Sequence, residues 1–513
     1  MLPILLALFT LGACLVPEPF KTTTTGTYQL FGPRELVIES ESSKNCFIIQ
    51  SAYERLVKGA FDHSALISEN AKIDYNLPVI KTIQVNLISA CNEMHNRMMP
   101  NESMDESYAI DMTGGTININ AKEVWGVLHA FGTLEQLAKK TFEKTVLILQ
   151  STIVDKPRFI HRGYLIDTAR HYIRVGTIRR FIRAMSAVKM NVLHWHIIDD
   201  QSFPYQTNSI PELWKEGSYN RLRAIYSREM IAEVLEYARQ RGIRVMVEID
   251  TPGHTRSWRG VEDIQTKCYN EQGEFTGVGP LDPTKNATYK VLGRLFEETI
   301  DLFPDSYIHL GADEVDKACW ESNKQIGEFM KENNITSYNE LQRYYIEKLD
   351  VVIKSLSRNM TKVFWEEVYF DDSLRDKKSV VHVWRNVGEY EETLEKVTRD
   401  GYRAILSSPW YLNYLSYGND MKAFYDIDPT GFNATEQEKE LVLGGEACMW
   451  GEYINDDRLM IESWPRGSAI AERLWSQREV TDFDAFNERA IHLQCFMTMR
   501  GLRVGTLQPN YCQ

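Results

Sequence analysis

The sequence is short of several things, and each shortage removes a class of protein. Basic residues are outnumbered: 58 Lys and Arg stand against 71 Asp and Glu, a net charge of −13. An acidic chain lacks the electrostatic footprint of a general nucleic-acid binder and of a polybasic membrane-surface protein. Past the first fourteen residues no run of 18 or more apolar residues occurs, so no stable membrane insertion is expected. There is no Cys-x-x-Cys pair for a zinc knuckle, no His-Glu-x-x-His and no P-loop. Gly-x-Gly-x-x-Gly after a strand and the Gly-x-Ser-x-Gly elbow are also missing. An ordinary globular balance, 43% hydrophobic and 25% charged, excludes disorder and low complexity.

What is present is a chain of 513 residues, enough for about two domains. It opens on an apolar run, Leu2 to Cys14, too short to span a bilayer comfortably and followed by Pro17 and Pro19. With small residues at Gly12 and Ala13 it reads as a removed signal peptide over residues 1–16; lipid attachment at Cys14 is the rival reading. Seven cysteines lie beyond Cys14, an odd count that suggests three bridges and one free thiol. Neighbouring pairs would be Cys46–Cys91, Cys268–Cys319 and Cys495–Cys512, with Cys448 left free in a run that looks like a buried strand. Sequons at Asn101, Asn286, Asn334, Asn359 and Asn433 favour a eukaryotic glycoprotein over a lipoprotein.

Residues 17–155 alternate short strands with helices and read as a smaller α+β domain. Strands are expected at Tyr28–Phe31, Leu36–Glu39, Ile83–Ile88, Ser107–Ile110 and Gly115–Asn120, with helices at Lys44–Phe61 and Ala121–Thr141. From about 156 to 513 the pattern changes. Eight apolar runs recur, separated by helical segments such as Thr177–Lys189, Ser227–Arg241, Tyr289–Leu302 and Ser337–Leu356. The runs are Gly163–Arg170, Asn191–Asp200, Ile243–Asp250, Tyr307–Glu314, Lys362–Glu367, Val380–Trp384, Tyr402–Trp410 and Leu441–Trp450. Eight strand–helix units read as a (β/α)8 TIM barrel, an α/β fold that carries its chemistry at the strand C-terminal ends.

Those ends concentrate Arg, Asp, Glu, His and Trp. Asp313-Glu314 closes one run in an apolar setting. Adjacent strand residues point to opposite sides, so the two do not suit an acid/nucleophile pair flanking one glycosidic bond. One would act while the other positions or stabilises; helix capping is the bland alternative. Trp365, Trp384 and Trp450 near separate strand ends, and Trp410-Tyr411 after another, suggest a box around a flat ring, although a single Trp is more often core. Arg170 is a candidate donor to sugar hydroxyls or a carboxylate, or a structural ion-pair partner. His194-Trp-His196 offers two imidazoles on one strand face near Asp199 and Asp200. A metal site lacks a third ligand at fixed spacing, so a hydrogen-bond network is favoured; His254 carries the same two readings.

The motifs Arg162-Gly-Tyr-Leu-Ile-Asp-Thr-Ala-Arg170, His194-Trp-His-Ile-Ile-Asp-Asp200 and Glu248-Ile-Asp-Thr-Pro-Gly-His254 occur in order. They are followed by His309-Leu-Gly-Ala-Asp-Glu314, Gly444-Gly-Glu-Ala-Cys-Met-Trp-Gly-Glu452 and Trp464-Pro-Arg-Gly-Ser-Ala-Ile-Ala-Glu-Arg-Leu-Trp475. With them the chain resembles the β-N-acetylhexosaminidases of glycoside hydrolase family 20, especially the lysosomal animal type. The resemblance implies removal of terminal β-GlcNAc and β-GalNAc, with the substrate's own acetamido group as nucleophile and net retention. Glu314 would be the general acid and then base, its pKa raised by an apolar pocket. Asp313 would orient the acetamido group and Tyr411 would donate to its oxygen. Trp365, Trp384 and Trp450 would wall the pocket. Arg170, Asn413 and Glu452 would hold hydroxyls, and Asp199 and His254 would back Glu314. No metal or organic cofactor is implied, and the relatives suggest a homodimer that is lysosomal or secreted. One animal subunit type has Asp-Leu at positions 413–414 and favours neutral sugars; the other has Asn-Arg and accepts sulfated ones. This chain has Asn413-Tyr414, the Asn without the Arg. Rival readings are a chitobiase-like enzyme of narrower scope, a silent sugar-binding protein and a structural glycoprotein.

Overall fold

The computed structural model describes residues 14–513 apart from 41–42, 65–66, 68–70, 95–96, 386–389, 417, 510–511 and 513. The expected signal residues up to 13, Gly12 and Ala13 among them, lie outside the described residues.

Strand β1 (Lys21–Ile38) begins with a threonine-rich stretch, whose β-branched side chains fit a pleated surface. It is one strand where two were expected. Its first half pairs antiparallel with β6 (Val146–Asp155) and its second half parallel with β2 (Ile80–Leu87). Gly32-Pro33 falls at the changeover, inside a register shift between Phe31 and Glu35, where proline's missing donor breaks no ladder. With β3 (Tyr108–Thr113), β4 (Thr116–Ala121) and β5 (Ala138–Lys140) these strands form a mixed sheet in the order β1-β2-β4-β3-β6-β5. Helices α1 (Phe47–His63) and α2 (Val124–Leu137) bury their apolar faces in the same core as the sheet. The helix expected to reach Thr141 stops at Leu137 because Ala138 turns extended and starts β5. Strand β6 was not among the expected strands; it ends at Asp155, where the first domain was expected to close.

The second unit is a closed parallel barrel. Its strands are β7 (His161–Asp167), β8 (Val192–His196), β9 (Arg244–Glu248), β12 (Tyr307–His309), β13 (Thr361–Trp365), β14 (Val380–Val383), β15 (Arg403–Leu406) and β16 (Val442–Met449). A hairpin of β10 (Gln265–Tyr269) and β11 (Phe275–Leu281), not expected from the sequence, interrupts the repeat. Most barrel strands end sooner than their apolar runs. Asp313 and Glu314 are the clearest correction: β12 stops at His309, so the alternation argument does not govern them. Gly311, Ala312 and Glu314 all have positive φ (64°, 76° and 46°), and the chain turns both carboxylates toward one pocket.

The structure joins Cys46–Cys91, Cys268–Cys319 and Cys495–Cys512 and leaves Cys448 buried in β16. Leu15 and Val16, the last two residues of the expected signal peptide, are buried, and Gln136 bonds Val16 on both sides at 3.0 and 2.8 Å. The two units are keyed together below the barrel. Asp155, at the end of β6, accepts from Trp475 Nε1 (2.9 Å) and Tyr108 (2.7 Å) and pairs with Lys189 (2.7 Å). Glu106 pairs with Arg162 at 2.5 Å and His129 at 2.8 Å. Burial alone would raise the Glu106 carboxyl, but the Arg162 charge and the His129 hydrogen bond outweigh it and hold it at about 2.

Candidate active site

A cavity of about 300 Å3 opens at the C-terminal end of the barrel, lined by residues from many separate strand ends. This is the low end of ligand-pocket sizes and matches one sugar ring. Its floor is aromatic. Trp365 (1% exposed) lies 5.9 Å from Trp450 and 6.3 Å from Trp384, centre to centre, and Trp384 stacks with Tyr411 at 6.3 Å. The polar edges of these rings are pinned: Trp365 Nε1 donates to Glu248 (2.8 Å) and Trp384 Nε1 to Glu367 (2.8 Å). The rings are therefore held as rigid walls.

One imidazole organises the carboxylates. His254 Nδ1 faces Asp199 Oδ1 at 3.2 Å, while its Nε2 lies 3.8 Å from Asp313 and 3.7 Å from Glu314. Burial would lower its pKa, but Asp250, Asp313 and the Asp199 bond outweigh that and raise it well above the ordinary value. The ring therefore presents a cation to the dyad. Asp199 also accepts from His196 (2.7 Å) and pairs with Arg170 (2.8 Å), so its carboxyl is held far below the usual range despite burial. Arg170 is fixed further by Asp167 (3.1 Å) and packs over Trp450.

Asp313 and Glu314 differ sharply. Asp313 is 7% exposed and its Oδ1 has no partner. The Glu314 side chain is 57% exposed, so the apolar enclosure expected for it is not found in this structure. That enclosure occurs at Glu367 instead. Burial and the neighbouring Asp313 charge push its carboxyl up to about 8. Arg385 pairs with it at 2.7 Å, but that guanidinium is 43% exposed and its charge is screened by water.

Of the residues singled out from sequence, Arg170, His254, Asp313, Glu314, Trp365, Trp384, Tyr411, Asn413, Trp450 and Glu452 line the cavity. Asp199 does not; it is fully buried behind His254 and Arg170. His196, Asp250, Tyr414 and Tyr453 line it too and had been given no contact with substrate. Asp250 carried a signal, since it ends a barrel run in the same motif as His254. Its Oδ1 accepts from Ala312 N (2.9 Å), and a Cβ on Gly311 would lie 1.7 Å from that oxygen. Only glycine fits there, so the turn that aims the dyad is braced by Asp250.

Beneath the floor, Glu248 and Glu446 are fully buried inside the barrel. Glu446 meets His161 (2.6 Å) and His194 (2.8 Å); Glu248 meets His196 (2.6 Å) and His194 (3.0 Å). Nitrogens of His194, His309 and His382 come within 4.8 Å of one another, but those of His194 already face these carboxylates. The network reading of the His-x-His pair is the one this packing favours.

Residues 159–478 match the catalytic domain of glycosyl hydrolase family 20, and residues 15–137 match a β-acetyl hexosaminidase-like domain. The chain belongs to glycosyl hydrolase family 20. It is 39% identical over 508 residues to the human β-hexosaminidase subunit beta, covering 98% of this chain and 90% of that protein. It is 38% identical to the rat subunit alpha over 92% of this chain and 89% of that one. Among solved structures, the chitobiase of Flavobacterium johnsoniae superposes with a TM-score of 0.80 at 30% identity, covering 96% of this chain and 73% of that one. This member of family 20 therefore keeps both the barrel and the N-terminal domain of its relatives.

Proposed function

We infer that this chain is an exo-β-N-acetylhexosaminidase that removes terminal β-linked GlcNAc and GalNAc from glycoconjugates with retention. Family membership at about 40% identity over nearly the whole length supports the reaction. The observation that carries the residue roles is Asp313 Oδ1, a buried acceptor without a partner on the wall of a sugar-sized pocket. A buried carboxylate oxygen left bare costs free energy, and a substrate N–H would satisfy it.

In the first step the acetamido oxygen bonds to C1 as the glycosidic C1–O bond breaks, and Glu314 gives its proton to the departing oxygen. Asp313 accepts from the acetamido N–H and balances the charge growing on the oxazolinium ring. Tyr411 donates to the acetamido oxygen; burial raises its pKa well above the ordinary value, so it remains a donor throughout. In the second step water attacks C1 while Glu314 takes its proton, and the ring opens with net retention. Trp365, Trp384 and Trp450 exclude water from the acetamido methyl. Arg170, Asn413 and Glu452 hold ring hydroxyls.

Asn413 beside Tyr414, in place of a basic residue, supports preference for neutral sugars. The glycan class beyond the terminal sugar is left to the rim, where Tyr414 and Tyr453 are 69% and 82% exposed. Relatives that are named subunits support a homodimer, checked by light scattering on the purified protein. Three disulfides and five exposed sequon asparagines support passage through the secretory route to the lysosome or the exterior. No helix among the described residues is long and apolar enough to cross a membrane.

The test is hydrolysis of chromogenic β-GlcNAc and β-GalNAc glycosides, with substrates mono- to trifluorinated on the acetamido methyl. Each fluorine weakens the carbonyl as a nucleophile, so kcat should fall steeply along the series. A flat series would sink the acetamido mechanism; no cleavage of either sugar would sink the activity.

A further inference from the structure

A second cavity, of about 330 Å3, lies between α1 and α2 of the N-terminal domain, the barrel helix α3 (Val175–Ala187) and the helix Phe483–Met499. It is lined by five fixed cations, Arg55, Lys58, Arg183, Arg241 and Arg500, with His63 beside them. Glu135 is the one carboxylate on its wall among the described residues. Arg183 lies in the C-terminal half of α3 and Arg241 just past the helix Arg228–Arg239, both helices of the barrel. Those helices run antiparallel to the strands, so the cavity is at the opposite end of the barrel from the catalytic pocket.

Cations near helix C-termini have a plain use, capping free carbonyls. Part of each arginine does this: Arg500 Nη1 donates to His63 O (3.0 Å), Arg241 Nη1 to Tyr237 O (2.9 Å) and Arg55 Nη2 to Gln240 O (2.8 Å). The remainder is unexplained. Arg500 is 5% exposed, yet its Nε and Nη2 make no hydrogen bond, and Glu135 reaches only to 3.5 Å from Nε. Arg183 lines the cavity beside them. Burial brings Arg241 and Arg500 down to about 10; the Arg183 charge adds to this at both, and Glu135 only partly offsets it at Arg500. Crowding like charges in a half-closed cavity is unfavourable unless something of opposite sign enters.

We propose that this cavity binds a tetrahedral oxyanion, a phosphate or sulfate, held by the free edge of Arg500 together with Arg183 and Arg241. Guanidinium edges match such an anion with paired hydrogen bonds, and the cavity has room for the anion and part of one sugar that carries it. The anion bridges the N-terminal domain to the barrel and stabilises their contact without touching catalysis.

Thermal unfolding of the full chain tests this at fixed ionic strength, with sodium phosphate or sulfate exchanged for chloride. Phosphate should raise Tm by several degrees and saturate near roughly millimolar concentration, as linkage to one site requires. Arg183→Ala with Arg241→Ala should weaken that response at least tenfold while leaving chromogenic hydrolysis within twofold. Should the double variant fold poorly, Arg183→Ala alone should still shift the midpoint upward. A sulfated chondroitin disaccharide and its unsulfated form distinguish the sources. Tighter saturation by the sulfated sugar assigns the site to a sugar ester, and equal or weaker saturation assigns it to the free anion. No response beyond chloride, or an undiminished response in the variants, overturns the proposal.

Discussion

Two pairs of carboxylates lie along one barrel axis and are treated in opposite ways. Inside, Glu248 and Glu446 have every oxygen engaged by histidine or indole donors. Their carboxyls are held well below the usual range because those partners outweigh burial. At the mouth, Asp313 keeps a bare oxygen and Glu314 stands more than half exposed. The inner pair is saturated and so supports stability and shape. The outer pair is unsaturated and so is ready for a substrate. Proximity to the centre of the fold does not mark the chemistry; unmet hydrogen-bonding capacity does.

The contrast can be broken one member at a time. Glu314→Gln should lower kcat by about 10^3-fold or more while Tm stays within a degree, since general acid–base help is worth roughly 10^2 to 10^4. A large loss of Tm would instead place Glu314 in the structural class. Next, Tyr411→Phe and Asp313→Asn should each cost about 10^2 to 10^3 in kcat, the usual effect of removing one group that meets developing charge. Their effect should be larger on kcat than on KM. Glu446→Gln should do the reverse. It removes one of the two carboxylates that face buried His194, whose pKa they raise to about 9 against burial, and should cost about 3–5 kcal/mol of stability by denaturant titration. Activity per folded molecule should change far less.

The smallest expected effects concern pH. Glu106 sits at about 2 in the fold against roughly 4.3 unfolded. Its contribution is present above the unfolded value and is lost only as pH falls through about 2, so the domain contact survives at pH 4–5. Glu367 has the opposite sign. At about 8 in the fold against roughly 4.3 unfolded, it takes up a proton on folding, and its contribution fades as pH rises between those values. Tm should therefore be higher at pH 5 than at pH 8, and Glu367→Gln should flatten that slope. An unchanged slope would mean that Arg385 keeps Glu367 ionised.

Periodicity and order along the chain were enough to specify the eight barrel strands and the α+β domain before them; strand-end residues marked much of the pocket, Asn413 and Glu452 came only from the family resemblance, and Tyr414 and Tyr453 were not foreseen as lining it. Apolar runs ending in Trp, Asp and Glu can be read because burial and strand spacing are local properties. Strand ends could not be read, since a barrel strand stops where its neighbour's hydrogen bonds stop, as β12 does at His309. The side on which Asp313 and Glu314 emerge was likewise invisible, because it depends on three positive-φ residues and on Asp250 filling the space over Gly311. Nor could the sequence show that Val16 meets Gln136, some 120 residues away. The composition counted the arginines, but only the meeting of α1, α3 and the final helix decided that several of them face one cavity. Local spacing determined what each segment is; contacts between distant segments decided which charges meet a partner and which are left waiting for one.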